Sequence, residues 1–97
     1  MIEVLIKHGI SEFAIDRFKE FDDILLNEIE TNLDELEKTI SFFKIIGIKY
    51  IEDILLYRRD FLLFNSYKVK RLFNDYGLKE IVELINEDYT NVDLLFE

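Results

Sequence analysis

The chain has 97 residues, 49% of them apolar, no cysteine, no proline, three glycines and a formal net charge of −9. Disulfide and thiolate chemistry are excluded, and an acidic field of this size repels nucleic acid and anionic lipid at long range. No apolar run exceeds four residues and Met1–Gly9 is too short for a secretory signal, so a single cytoplasmic domain, residues 1–97, is expected.

Without proline the helix interiors are unbroken, and the glycines mark boundaries. A first helix is predicted over Glu3–His8, ending at Gly9, and a second over Glu12–Phe18. The cluster Ile24–Leu26 reads as a helix of one or two turns entered through Asp22 or Asp23. Leu33, Leu36, Ile40, Phe43 and Ile46 form the stripe of an amphipathic helix over Leu33–Ile46, and Asn32 with Glu35 has capping-box spacing. Gly47 stands where a left-handed residue ends that helix, with Ile48 folding back on its last turn. A helix over Tyr50–Tyr57 precedes Phe61–Phe64, read as a helical turn entered through Asp60 because no other segment alternates with period two. Tyr67–Tyr76, capped by Asn65 or Ser66, carries Val69, Leu72, Phe73 and Tyr76 on its apolar face, and Gly77 is expected to end it as Gly47 ends its helix. The chain closes with Lys79–Asn86 and a turn over Leu94–Phe96, entered through Thr90 or Asn91 and expected to pack back on the core. The fold class is all-α, a compact array of about six to eight short helices that depend on packing.

Gly9-Ile10, Gly47-Ile48 and Gly77-Leu78 set a repeating ruler, because Asp22, Asp60 and Thr90 each stand thirteen residues after their glycine and precede an apolar cluster. The spacing suggests degenerate helical repeats of about 30–38 residues, an architecture of scaffolds and binding surfaces more than of enzymes. Within residues 36–96, the passages from Leu36 to Gly47-Ile48 and from Leu72-Phe73 to Gly77-Leu78 resemble the helical repeats of mitochondrial transcription terminators. That resemblance implies a basic concave face for nucleic acid. The proline common in that family's second-to-third helix junction is replaced by Arg59-Asp60 and Tyr89-Thr90, and the net charge of −9 opposes the implied function.

No constellation of a catalyst or cofactor site is expected. His8 is the one histidine, it is read as closing a helix end, and Ser11 beside it lacks a third partner. Asp22-Asp23, Glu52-Asp53 and Glu87-Asp88 lack the converging loop of a hard-cation site, so no metal is expected.

Charge carries the functional reading. Residues 1–43 sum to −7, residues 44–79 to +4 and residues 80–97 to −6. Glu28, Glu30, Asp34, Glu35 and Glu37 form one candidate acidic surface, and Glu80, Glu83, Glu87 and Asp88 a second. Such surfaces suit a non-enzymatic module that masks or inhibits a basic, nucleic-acid-binding protein. The alternative is direct nucleic-acid binding through Lys49, Arg58, Arg59, Lys68, Lys70 and Arg71, with Tyr67 for stacking. A third use of the surface is a homodimer.

Overall fold

Local signals set most of the helices. In the computed structural model, which covers residues 1–97, seven α-helices form: α1 (Ile2–Lys7), α2 (Glu12–Lys19), α3 (Asp23–Glu30), α4 (Leu33–Ile45), α5 (Ile51–Tyr57), α6 (Ser66–Tyr76) and α7 (Leu78–Glu87). Two 3-10 segments, Arg59–Leu62 and Tyr89–Phe96, complete the fold, and there is no strand. Side-chain caps open three of the helices: Ser11 accepts from the Ala14 N–H, Asp22 from Leu25 and Asn65 from Lys68. The order helix, glycine, helix, short helix occurs three times, with Gly9, Gly47 and Gly77 at the first junctions.

Three boundary expectations need correction. The Asn32–Glu35 capping box does not form: the Asn32 amide instead donates to the carbonyls of Leu62 and Phe64, and Glu35 accepts from Ser66. The cluster at Ile24–Leu26 needs no correction: it lies in a helix of about two turns, Asp23–Glu30, capped by Asp22, with Ile29 buried one turn beyond Leu26. Asp60 lies inside its 3-10 segment and binds Arg58, while Asp88, not Thr90 or Asn91, caps the last segment.

Gly77 also departs from the pattern. After α4, the Ile48 N–H reaches the Phe43 carbonyl at 2.9 Å and the Gly47 N–H reaches Lys44, the paired bonds of a Schellman end. Gly9 makes the same pair with Ile6 and, through Ile10, Leu5. The Gly77 N–H donates only to the Phe73 carbonyl while the Gly77 carbonyl already accepts the Ile81 N–H of α7, so the chain passes directly into that helix, at φ +117°.

Twenty-two buried apolar residues form one continuous core. Phe43 of α4 packs edge-on against Phe61 at 5.7 Å and tilted against Phe73 of α6 at 5.6 Å, and Phe61 in turn meets Phe96 at 5.7 Å. Offset and edge-on aromatic pairs each add about 0.5–1.5 kcal/mol beyond area burial. Val92 and Leu95 are buried, so the C-terminal turn packs back as expected.

Polar links tie successive parts together. Glu52 at the start of α5 accepts both the N–H and the hydroxyl of Ser11, at 3.1 and 2.6 Å. Asn86 of α7 accepts the Lys49 N–H and donates to the Gly47 carbonyl, both at 2.9 Å. The chain measures 35 × 24 × 22 Å, and no helix is long and apolar enough to cross a membrane.

Candidate interaction surface

Folding divides the candidate carboxylates into free and engaged groups. On α7, Ile81 and Ile85 face the core, and Glu80, Glu83 and Glu87 are exposed on the opposite side. Spacings of three and four residues align them in one row with a rise of about 5.4 Å per turn. None of the three enters an ion pair. Asp88, next in sequence, accepts the hydroxyl and the N–H of Thr90, and both bonds hold its carboxyl below the usual range.

The first acidic cluster is more heavily used. Glu28 and Asp34 are exposed and unpaired, while Glu30 holds the Met1 ammonium. Glu37 binds Lys7 and His8, and those hydrogen bonds pull its carboxyl down against a loss of hydration that pushes it up. For Glu35, lost hydration pushes the carboxyl up, but the Ser66 N–H, Lys38 and the Ser66 hydroxyl together bring it below its ordinary value.

His8 sits at the C-terminus of α1, between two residues of α4. Its Nδ1 lies 3.0 Å from Lys44 Nζ and its Nε2 lies 3.2 Å from Glu37 Oε1. An ammonium only donates, so Nδ1 accepts and Nε2 carries the proton toward the carboxylate.

The six basic candidates do not form one track. Arg58 bridges Asp60 and Asp93 at 2.9 Å each, with its guanidinium 3.9 Å from the Phe96 ring centroid. The Asp60 hydrogen bonds, helped by those to Asp93, raise its pKa further. Arg59 lies over Phe21, 4.2 Å from the centroid, and Lys49 is in the α4–α5 turn beside Asn86. Only Lys68, Lys70 and Arg71 share a helix, and none of the three is ion-paired.

Two open grooves adjoin that helix. One of about 400 Å³ is lined by Asn65, Tyr67, Lys68, Arg71, Leu72 and Asp75 of α6 and its entry. The other, about 290 Å³, lies between α4 and α6 and is lined by Glu37, Lys38, Ser41, Phe42, Ile45 and Lys70. Lys38 and Ile45 were not candidates from the sequence. The available signal was the spacing of Lys38, Phe42 and Ile45 on α4, four and three residues apart and off the buried stripe.

Comparison of the chain with protein families, with curated proteins and with solved structures finds no match. The likeness of residues 36–96 to transcription-terminator repeats gains no support from it.

Proposed function

We propose that this protein is a non-enzymatic interaction module, built from related helical units of about 30–38 residues, that masks or inhibits a basic partner protein. The observation that carries the reading is the row Glu80, Glu83 and Glu87, exposed and unpaired on a helix whose other side is anchored in the core. A row of three carboxylates with one lysine of the same helix, Lys79, at its end and no ion pair closed keeps a net negative potential toward an approaching partner and speeds encounter. Glu28 and Asp34 offer a smaller second surface. Direct nucleic-acid binding is the weaker reading, because Arg58 is committed to two aspartates and Arg59 and Lys49 stand apart from α6.

The test is retention from host extract on the immobilised chain, with E80Q/E83Q/E87Q alongside. A basic protein should be held by the wild type, released by salt and lost with the variant. Equal retention on both overturns the assignment to α7. A tight, salt-dependent complex of the wild type with DNA or RNA, lost on K68E/K70E/R71E, overturns the reading as a whole.

A further inference from the structure

The outer surface of α4 and α6 has the opposite character to α7. Lys68, Lys70 and Arg71 have no carboxylate within ion-pair distance, in a chain where acids outnumber bases by 21 to 12. Lys38 reaches only Glu35, at 3.4 Å, and that carboxylate also accepts from Ser66. Glu37 lines the groove with Lys38 and Lys70, but its charge is met by Lys7, and His8 donates a hydrogen bond to it. Asp75 is the one unpaired carboxylate lining either groove, so both keep a positive balance.

Apolar anchors stand among these cations. Ile45 is 83% exposed and Tyr67 69% exposed, and Phe42 is half-buried between α4 and α6. Lys68 lies 4.1 Å from the Phe64 ring centroid and Lys70 lies 5.9 Å from that of Phe42, which limits the freedom of both side chains before any partner arrives.

From this combination we infer a second docking face on α4 and α6, which takes an acidic peptide segment carrying aliphatic or aromatic side chains. The carboxylates of such a segment meet Lys38, Lys70 and Arg71, and its apolar side chains cover Ile45 and Tyr67. A nucleic-acid strand fits less well. Ile45, the most exposed apolar side chain, offers no stacking surface, and a net charge of −9 repels a polyanion more than a short acidic segment. A second copy fits less well too, since the exposed row of α7 carries no apolar side chain to cover Ile45 and two chains of −9 repel.

Fluorescence anisotropy tests the inference with a labelled peptide of alternating glutamate and leucine. A peptide of glutamate alone and single-stranded oligothymidylate serve as comparison probes. The mixed peptide should bind most tightly, with affinity falling as salt rises. K70E/R71E should weaken it by about tenfold or more, and I45S by about tenfold with little change in the salt dependence. E80Q/E83Q/E87Q should leave it unchanged, which separates this face from the one proposed on α7. Circular dichroism establishes that each variant folds. Failure of the mixed peptide to bind overturns the inference. Tighter binding of the oligonucleotide assigns the face to nucleic acid instead, and a concentration-dependent dimer lost with K70E/R71E assigns it to a second copy.

Discussion

Arg58 donates to Asp93 at 2.9 Å across thirty-five residues of sequence, and the contact clamps the C-terminal 3-10 segment to the end of α5. The same guanidinium makes a two-pronged bond to Asp60 and covers the Phe96 ring. Fully exposed pairs contribute about 0–1 kcal/mol, but this side chain is only 27% exposed and planar contact with a ring adds to it. Arg58→Ala should therefore cost about 2 kcal/mol in urea denaturation. Arg58→Lys should recover little, since an ammonium gives neither the fork nor the stacking. Full recovery by lysine would show that charge alone holds the segment.

Thr39, in the middle of α4, is fully buried and its hydroxyl has no hydrogen-bond partner. A desolvated hydroxyl without a partner costs about 1–3 kcal/mol, and valine has almost the same shape and helix propensity. Thr39→Val should raise the stability by about 1 kcal/mol, equivalent to about 4–8 °C in Tm for a chain of this size. Calorimetry that finds the variant less stable would show that the hydroxyl does bond within the core.

Four carboxyls titrate below their ordinary values in the folded chain. Glu37 is lowered by Lys7 and His8, Asp93 by Tyr57 and Arg58, Asp88 by Thr90, and Glu35 by Ser66 and Lys38 acting against lost hydration. Their stabilising share is complete above the ordinary values of 4.5 for glutamate and 3.8 for aspartate. It is lost as pH falls through the lower folded values, because the unfolded chain takes up protons first. Tyr57 has the opposite sign: its phenol donates to Asp93, which raises its pKa above 10.0. That share is complete below 10.0 and disappears as pH rises through the folded value. The urea midpoint should therefore fall on both the acid and the alkaline side, with Glu37→Gln flattening the first limb and Tyr57→Phe the second. A midpoint that rises as pH falls below 4.5 would show that relief of acidic repulsion outweighs these contacts.

Most helices were read correctly because neighbouring residues carry their signals. α6 was legible because Asn65, the stripe through Val69 and Phe73, and Gly77 are all local. The failure of the Asn32–Glu35 box was not legible, since the groups that divert those side chains are Leu62, Phe64 and Ser66, some thirty residues away. Arg58 counted toward a basic stretch because its partners cannot be read from charge, Asp93 lying thirty-five residues on. Lys38 counted toward the acidic N-terminal part, although folding places it in one groove with Lys70. Charge summed along a chain locates surfaces only where a helix keeps its own residues together, as α7 does with Glu80, Glu83 and Glu87.

Gly47 and Gly77 look alike in sequence and should respond differently to substitution. Both have open space where a Cβ would stand, so the cost of a side chain is set by the backbone. Gly47, at φ +87°, lies near the left-handed region of a Schellman end, where alanine costs about 1–2 kcal/mol and asparagine less. Gly77, at φ +117° and ψ +100°, lies outside that region, and α6 and α7 are both committed to the turn it makes. Gly77→Ala should cost about 3 kcal/mol, and Gly77→Asn should be no milder. At Gly47, asparagine should recover a good part of the loss caused by alanine. Urea denaturation of the four variants decides it: equal costs at the two positions, or rescue by asparagine at 77, would mean that Gly77 relaxes into an ordinary helix end.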